Sequence, residues 1–306
     1  IETLARVDTI CLDKTGTLTE GKLKVDDVIC FDDRFNIDQI IKNMNYCLED
    51  GNMTSMALHQ YFSKEKNYQP FFVIPFSSQR KYSAVSFNEF GTVYLGASQF
   101  IFENLDSKIE KKIKTYTSQG FRVLCIGYTP IIINDNTLIK DLKCIGILIL
   151  SDVIRQDAKT TLDYFKRQDV DIKIISGDDP VTVSAIARRC HLLNYEHYID
   201  VSSLSDEQIK EAIEKYTIFG RVSPKQKQLM VNALQENNHT VAMTGDGVND
   251  VLALKAADCS IAMASGSDAA KSASHIVLLK NNFNAMPHIV NEGRRVINNI
   301  TASASM

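Results

Sequence analysis

The second half of the chain repeats one pattern, in which an apolar strand is followed by a turn and then by an amphipathic helix. The apolar runs from about residue 142 onward are KCIGILIL, VDIKIIS, TIFG, HTVAMTG, CSIAMA and HIVLL. The helical stretches lie near 156–168, 181–191, 205–215, 224–237, 249–257 and 267–273. Such alternation predicts a parallel sheet with helices on both faces. The run VDTICL at 7–12 has the same apolar character, and we assign it to the same sheet.

Residues 25–141 follow a different pattern, which predicts a second domain inserted after that first strand. Short strands, QPFFVIPF, YSAVSF, TVYLGA and FRVLCIGYT, accompany helical patterns at 37–47, 54–65 and near 106–118. We therefore expect an α/β fold, in which 1–24 and 142–306 form a Rossmann-like doubly wound parallel sheet. The inserted α+β domain is expected to contain a mostly antiparallel sheet. The crossings TLTEGKL and LSDVIR are predicted hinges, and a last helical stretch begins near residue 284.

Bulk composition excludes several classes of protein. The net charge of −3 gives no general attraction to nucleic acid or anionic lipid, so an anionic ligand must be bound by local groups. The seven cysteines are scattered and never spaced C-x-x-C, which argues against a disulfide framework or a zinc site and favours a reducing, cytosolic environment. No apolar run approaches the roughly 18 residues of a membrane span. The chain begins at Ile1 without a signal peptide, so we expect an excised part of a longer protein.

Three polar turns follow predicted parallel strands and carry the chemistry of the chain. They are DKTGT at 13–17, SGDDP at 176–180 and TGDGVND at 244–250. Ligands of open α/β sheets bind at the carboxyl ends of the strands, so these turns are expected to face one crevice. Their glycines and the following helix starts suit phosphate oxygens, and their aspartates are the hard oxygen ligands that Mg²⁺ prefers. The turns therefore predict phosphoryl chemistry.

Asp13 is the predicted nucleophile of this site. Its carboxylate can attack phosphorus and form an aspartyl-phosphate, which divides a difficult transfer into two steps. Lys227, in RVSPKQK at a helix start, is a candidate cation for the charge that develops in the transition state. The alternatives are purely structural: DKTGT would be an ordinary turn, and SGDDP would only cap a helix. The co-occurrence of all three turns favours the catalytic interpretation.

The chain contains the four motifs DKTGTLT, TGDGVND, DVIR and GRVSPKQK. Through these motifs it resembles the cytoplasmic phosphorylation and nucleotide-binding domains of P-type cation-transporting ATPases, in the haloacid-dehalogenase superfamily. The resemblance covers essentially the whole chain. It implies that 1–24 and 142–306 form the phosphorylation domain, which ends in a stalk helix, and that 25–141 form the nucleotide-binding domain. It also implies Mg²⁺ as cofactor and ATP as substrate.

The resemblance implies roles for individual residues of the phosphorylation site. Asp13 would be phosphorylated beside Lys14, and Asp13, the main-chain carbonyl of Thr15 and Asp246 would bind Mg²⁺. Thr15 would hold the phosphoryl group together with Ser176 and Gly177, and these two residues belong to the motif that also contains Asp178. The site would be completed by Lys227, Asn249 and Asp250. Related phosphatases have an aspartate two residues after the nucleophile as general acid and base. Thr15 stands there in this chain, so the phosphorylated intermediate is expected to persist.

The resemblance also implies a nucleotide pocket in the inserted domain. Phe76 of FSSQRK would stack on adenine, Arg80 and Lys81 would serve the phosphates or the pocket wall, and Arg155 of DVIR would contact nucleotide from the hinge. Gly96 lies in LGASQ, the counterpart of the family's KGAPE motif. Two positions of this pocket depart from the family: Leu95 replaces its lysine and Ser55 replaces its usual glutamate, so modest ATP affinity is expected. In the phosphorylation domain SGDD replaces the family's TGDN, a milder change that keeps a hydroxyl at Ser176 and the carboxylate of Asp178. Phe76 as a core residue, and Arg80 with Lys81 as a solvated edge, are the alternatives.

The expected whole protein is an ATP-driven pump in the cell membrane, with these domains facing the cytoplasm and soluble by themselves. Its own actuator domain, its transmembrane helices and the transported cation would be its partners, and nucleic acid would not be. Ca²⁺ is the first candidate ion, because FSSQRK resembles calcium-type pumps and no His-Pro pair typical of heavy-metal pumps occurs. Two alternatives are a stand-alone phosphatase with 25–141 as its cap and a nucleotide-binding module without turnover. Thr15 argues against the first, and intact Asp13, Lys227 and Asp246 argue against the second.

Overall fold

The structure is a computed structural model that describes residues 2–49, 51–279 and 282–304. The chain divides into two compact units: unit 1 comprises Ile1–Gly21 and Ile154–Met306, and unit 2 comprises Lys22–Val153. Each unit is built on one β-sheet with helices. Among the described residues, no helix combines the length and the apolarity needed to cross a membrane.

The strands in chain order are β1 (Thr9–Leu12), β2 (Thr19–Cys30), β3 (Pro70–Ile74), β4 (Tyr82–Phe87), β5 (Gly91–Gly96), β6 (Arg122–Thr129), β7 (Lys143–Ile154), β8 (Asp171–Ile175), β9 (Tyr198–Asp200), β10 (Ile218–Gly220), β11 (Val241–Gly245), β12 (Cys259–Met263) and β13 (Ile276–Leu278). The helices are α1 (Glu2–Ala5), α2 (Ile37–Cys47), α3 (Met53–Phe62), α4 (Ser98–Ile101), α5 (Ser107–Thr117), α6 (Ala158–Arg167), α7 (Pro180–Arg189), α8 (Asp206–Lys215), α9 (Pro224–Glu236), α10 (Val251–Ala256), α11 (Asp268–Ala273) and α12 (Ala285–Ala304).

Unit 1 contains a seven-stranded parallel sheet in the order β13-β12-β11-β1-β8-β10-β9. β1 lies at its centre, with Cys11 opposite Met243 on one side and Lys173 on the other. After β1 the chain builds one half of the sheet and then returns to build the other half from β11 outward. The strand order therefore reverses beside β1, which is where doubly wound sheets bind their ligands.

Both faces of this parallel sheet are buried, as the continuous apolar runs predict. Ile10 and Leu12 of β1 pack into one hydrophobic cluster with helices α6 and α7, whereas Cys11 packs into a second cluster with α8, α9 and α10. The alternation follows from the two-residue period of a strand. Two buried layers hold β1 firmly, so the residue that follows Leu12 starts from a fixed position.

Unit 2 contains a six-stranded sheet in the order β2-β7-β6-β5-β4-β3. From β3 to β7 the neighbouring strands are antiparallel. Helices α2 and α3 contribute to the hydrophobic cluster on one face, and α4 and α5 contribute to the cluster on the other. The predicted class, a doubly wound parallel sheet with an inserted α+β domain on a mostly antiparallel sheet, is confirmed.

One strand assignment is wrong. The run KCIGILIL was assigned to the parallel sheet, but its strand β7 pairs antiparallel with β6, with Leu148 opposite Leu124. Helices cover both faces of the unit 2 sheet, so Leu148 and Ile147 are buried in opposite clusters. A continuous apolar run indicates burial on both faces and does not by itself indicate parallel pairing. The unit boundary consequently falls after Val153 and not after residue 141.

Candidate active site

The loop at 13–19 begins where β1 ends, and its conformation depends on Gly16. The backbone N–H of Asp13 donates to the Thr244 carbonyl at 3.3 Å, which ties the loop start to β11. The Asp13 Oδ2 atom accepts the backbone N–H of Thr15 at 3.0 Å. Gly16 has a φ of 72°, and a Cβ atom there would lie 1.8 Å from Asp246 Oδ2. Only glycine allows the loop to approach Asp246 this closely.

Asp13 is paired with Lys227 in a buried site. The Lys227 Nζ atom donates to Asp13 Oδ1 and to Asp250 Oδ1, each at 2.6 Å. Lys227 lies in the first turn of α9, where Ser223 and Gln226 form a reciprocal capping box. Burial alone would lower the pKa of Lys227, but Asp13 and Asp250 outweigh that effect and raise it. Lys227 therefore remains a cation next to the predicted nucleophile.

Asp13, Asp246 and Asp250 form a compact group, in which one carboxylate oxygen of each lies within 4.8 Å of the others. Burial raises the pKa of Asp13 to about 6, with Lys227 opposing that change and the other two carboxylates adding to it. Burial and the proximity of Asp250 raise the pKa of Asp246 to about 6 as well. Three carboxylates next to one ammonium leave an excess of negative charge. A divalent cation with oxygen preference fits this donor set.

Asp250 also shapes the turn that carries Asp246. Its Oδ2 atom accepts the backbone N–H groups of Asp246 at 3.2 Å and Gly247 at 3.0 Å. A Cβ atom on Gly245 would lie 2.5 Å from the Asp250 Cβ, so the turn leaves no space for a side chain there. The predicted helix at 249–257 is a 3₁₀ turn, Val248–Asp250, followed by α10. Asn249 is exposed on that turn.

The SGDDP turn lies at the end of β8, next to β1 in the sheet. Ser176 is buried, and its Oγ accepts the backbone N–H of Asp178 at 3.2 Å. The Asp178 carboxylate lies 2.7 Å from the Lys14 Nζ, so an ion pair connects this turn with the loop after β1. Gly177 has open space around it, since a Cβ atom there would meet only the Val222 carbonyl, at 3.7 Å. The three predicted turns thus come together at one edge of the sheet.

Arg155 lies in unit 1, on the first residues after the chain returns from unit 2. Its Nε and Nη2 atoms both donate to the Gly16 carbonyl, at 3.0 and 2.7 Å. This interaction was not expected from the motif, which implies a nucleotide contact for Arg155.

Unit 2 has a cavity of about 430 Å³. The sequence-predicted residues Phe76, Lys81 and Gly96 line it, as do the two departures Leu95 and Ser55. Further lining residues are Met44, Asn45, Leu48, Asn52, Met53, Thr54, Leu58, Ser83, Ala97, Phe100, Arg122, Val123 and Leu124. The mostly apolar wall with a few polar groups is typical of small-molecule sites.

Two arginines of unit 2 differ from expectation in opposite ways. Arg80 is not among the lining residues, and its Nη2 atom donates to the Pro75 carbonyl at 2.8 Å. Arg122 lines the cavity, and its Nη1 atom donates to Thr54 Oγ1 at 3.2 Å. Sequence reasoning missed Arg122. The one indication of it in the sequence was a basic residue at the start of FRVLCIGYT, where a predicted strand begins after a turn.

Comparison with known proteins places the chain. The profile of haloacid dehalogenase-like hydrolases matches residues 7–258. The chain belongs to this family. It is 43% identical over 305 residues to the probable cation-transporting ATPase exp7 of Streptococcus pneumoniae, covering 98% of the chain and 39% of that protein. It is 39% identical over 311 residues to the calcium-transporting ATPase CtpE of Mycobacterium bovis, covering 100% of the chain and 39% of that protein.

A solved structure agrees in fold. The crystal structure of a zinc-transporting PIB-type ATPase in its E2.Pi state superposes with a TM-score of 0.74 at 23% identity, covering 98% of this chain and 43% of that one. The similarity drawn from the motifs, to P-type cation-transporting ATPases, is therefore confirmed. This chain of the haloacid dehalogenase-like family spans about two fifths of the length of the curated relatives it matches.

Proposed function

We propose that the chain is the catalytic part of an ATP-driven cation pump and that ATP phosphorylates Asp13. One observation carries the proposal: the buried Asp13 carboxylate is held by Lys227 at 2.6 Å within a group that also contains Asp246 and Asp250. A nucleophile, a fixed cation and a set of hard oxygen ligands are the parts that phosphoryl transfer requires. The similarity to cation-transporting ATPases supports the assignment.

Asp13 attacks the γ-phosphorus of ATP with a carboxylate oxygen. A bond forms between that oxygen and phosphorus, the bond from phosphorus to the β,γ-bridging oxygen breaks, and ADP leaves with the bond electrons. Because the pKa of Asp13 is about 6, the carboxylate is largely ionised near neutral pH and ready to attack. Lys227 remains protonated and neutralises charge that develops on the phosphoryl oxygens.

Mg²⁺ would be held by Asp13, Asp246 and the Thr15 carbonyl, and it would neutralise phosphate charge and orient the γ-phosphoryl group. Asp250 keeps the Asp246 turn in place through its two backbone hydrogen bonds. Thr15, Ser176 and Gly177 are assigned to the phosphoryl oxygens, and Asn249 to the rim of the site. Lys14 and Asp178, as an ion pair, hold the two phosphate-binding turns together.

The cavity in unit 2 is proposed to bind the nucleotide. Phe76 is 42% exposed on its wall, so its ring is accessible to a base that stacks on it. Lys81 and Arg122 supply positive charge for phosphates, and Gly96 gives close backbone approach. The position of Arg122 compensates for Leu95, which supplies no charge where the related pumps have lysine. Arg80 is assigned to the loop that supports Phe76 and not to the phosphates, because it is bound to the Pro75 carbonyl.

Thr15 determines what happens to the aspartyl-phosphate. A threonine hydroxyl does not relay a proton efficiently near neutral pH, so hydrolysis within this chain is slow and the energy is retained. In the whole protein an actuator domain and transmembrane helices would use that energy, in the cell membrane with these units facing the cytoplasm. Ca²⁺ is proposed as the transported cation, since a relative 39% identical to the chain is named a calcium-transporting ATPase.

The experiment is phosphorylation of the full-length protein with γ-labelled ATP and Mg²⁺, followed by acid quench. A label that survives acid and is released by hydroxylamine is expected, because an acyl phosphate has that reactivity. The matched control is Asp13→Asn, which keeps the size of the side chain and removes the nucleophile. Absence of label in the wild type, or equal label in the control, would contradict the pump assignment. Rapid turnover of phosphate esters without label would instead indicate a phosphatase.

The cation needs a separate measurement. Membrane vesicles that contain the full-length protein are expected to take up radioactive Ca²⁺ when ATP and Mg²⁺ are supplied, and vesicles with Asp13→Asn are not. Uptake of a different divalent cation in place of Ca²⁺ would retain the pump and overturn the ion.

A further inference from the structure

Arg155 holds the loop that carries Asp13 at two points. Its guanidinium donates through Nε and Nη2 to the Gly16 carbonyl, and its backbone N–H donates to the Leu18 carbonyl at 3.0 Å. The two side-chain bonds, at 3.0 and 2.7 Å, converge on one oxygen. A single residue therefore restrains the middle and the end of the loop at 14–18.

Gly16 is also the residue at which the loop meets Asp246. The space next to its Cα is filled by the Asp246 carboxylate, since a Cβ would lie 1.8 Å from Oδ2. The Gly16 carbonyl lies in the Gly16–Thr17 peptide, so an arginine that fixes this carbonyl holds the Gly16 Cα against Asp246 and, through that Cα, restrains the adjoining Thr15 carbonyl. Mg²⁺ accepts only near-ideal octahedral geometry, so its binding responds to small changes in such a distance.

We propose that Arg155 is a positioning residue that holds the phosphorylation loop against Asp246 and thereby sets the affinity of the site for Mg²⁺. The inference rests on the proposed function, in which Asp13 and Asp246 bind that ion. It differs from the role that the DVIR motif implies, which is a contact with nucleotide. Ligands of metals owe their orientation to such supporting groups, whose loss typically costs roughly 10- to 100-fold in metal affinity.

Charge and position make opposite predictions for this residue, so they can be separated. Arg155 is a cation near an intended cation site, and by Coulomb repulsion alone its removal would strengthen Mg²⁺ binding. If Arg155 acts by position, both Arg155→Lys and Arg155→Gln weaken Mg²⁺ binding. Lysine keeps the charge without the fork of donors, and glutamine keeps one amide donor without the charge.

The test measures the melting temperature of the full-length protein while Mg²⁺ alone is titrated. Both variants are expected to need roughly tenfold more Mg²⁺ than wild type for half of the maximal stabilisation. Their affinity for ATP without Mg²⁺ is expected to stay within about twofold of wild type, and amide hydrogen exchange at 14–18 is expected to quicken. Asp246→Asn is the control that loses the Mg²⁺ response, and Arg122→Gln is the control that loses ATP affinity.

Each other outcome overturns the inference. An unchanged Mg²⁺ requirement in Arg155→Lys and Arg155→Gln shows that the arginine does not position the site, and tighter Mg²⁺ binding in Arg155→Gln shows that only its charge acts. Loss of ATP affinity with normal Mg²⁺ binding shows that Arg155 contacts the nucleotide, as the DVIR motif implies. If the wild type forms the acyl phosphate and the variants need the same Mg²⁺ concentration as the wild type, the inference is wrong but the proposed function stands. A wild type without Mg²⁺ response or label refutes the proposed function as well.

Discussion

Gly16 and Gly21 both have positive φ angles but lie in different surroundings. Their φ angles are 72° and 67°, but a Cβ on Gly16 would overlap Asp246 whereas a Cβ on Gly21 would meet no atom within 4 Å. Gly21→Ala is therefore expected to lose about 1 kcal/mol of unfolding free energy through backbone strain alone. Gly16→Ala is expected to lose about 2–4 kcal/mol, because a steric clash is added to the same strain.

Urea unfolding of the two glycine variants compares these losses directly. Equal destabilisation would show that the loop can move away from Asp246 without cost, which would also weaken the positioning role of Arg155. A larger loss in Gly16→Ala that Arg155→Lys reduces would show that the two residues act on one contact.

Asp246 gives the protein a dependence on pH that can be measured without Mg²⁺. Its pKa rises from the ordinary 3.8 to about 6, chiefly through burial and then through Asp250. A raised carboxyl pKa means that the folded state binds a proton more tightly than the unfolded state. Folding is therefore favoured by this group at low pH, and the advantage is lost as pH rises through about 6.

Asp246→Asn removes the ionisable carboxyl and therefore the decrease in stability that this group causes as the pH rises through about 6. In the presence of a chelator, the variant is expected to melt a few degrees higher than wild type at about pH 8 and to approach it at about pH 5. With Mg²⁺ at about pH 8 the order is expected to reverse, because only the wild type gains stability from the ion. A difference in melting temperature that does not change with pH would mean that partial burial and Asp250 do not raise the pKa of this carboxyl.

At the scale of elements, α8 and α9 provide matched helix starts with one functional difference. Ser205 with Gln208 and Ser223 with Gln226 form the same reciprocal capping box. Replacing either serine by alanine is expected to cost about 1 kcal/mol of stability. Only α9 carries a residue of the site, since Lys227 lies in its first turn.

Ser223→Ala is therefore expected to lower the yield of acyl phosphate from ATP severalfold, whereas Ser205→Ala is expected to leave it unchanged at equal loss of melting temperature. Fraying of the first turn of α9 would move the Lys227 ammonium away from its 2.6 Å contacts with Asp13 and Asp250. A parallel loss of phosphorylation in both variants would assign the effect to stability alone.

Prediction of the elements succeeded where hydrophobic periodicity is long and failed where an element is short or paired at an edge. Helix α2 was predicted at its observed bounds, because its apolar residues recur on one face over three turns. β9, with three residues, is too short for any period, and β2 begins in TEGK, which has no apolar alternation. The sequence predicts strand β7 but assigns it to the wrong sheet, because burial on both faces does not specify the partner strand.

The structure brings together the candidate site residues that the contiguous motifs contain, whereas contacts between distant segments were not predicted from the sequence. The motifs contain Asp13, Lys227 and Asp246, and the strand order brings them to one sheet edge. The Gly16 contact of Arg155 and the cavity position of Arg122 depend on the register and direction of strands that periodicity does not define. The Lys14–Asp178 pair likewise required the adjacency of β1 and β8.

At the scale of the whole molecule, the two units are assigned to different steps of one reaction. In the proposed function, residues of unit 2 bind the nucleotide and residues of unit 1 accept the phosphoryl group. A phosphate donor that has no base or ribose, such as acetyl phosphate, would need only unit 1. The two steps are therefore separable by a pair of substitutions, one in each unit.

Arg122→Gln is expected to raise the ATP concentration needed for phosphorylation roughly tenfold, since a charged hydrogen bond to phosphate contributes about 1.5–3 kcal/mol. The same variant is expected to be labelled by acetyl phosphate as readily as wild type. Asp13→Asn is expected to show the opposite behaviour, with ATP binding within about twofold of wild type and no label from either donor. If Arg122→Gln impairs both donors equally, the cavity of unit 2 does not serve the nucleotide, and the division of labour between the units is wrong.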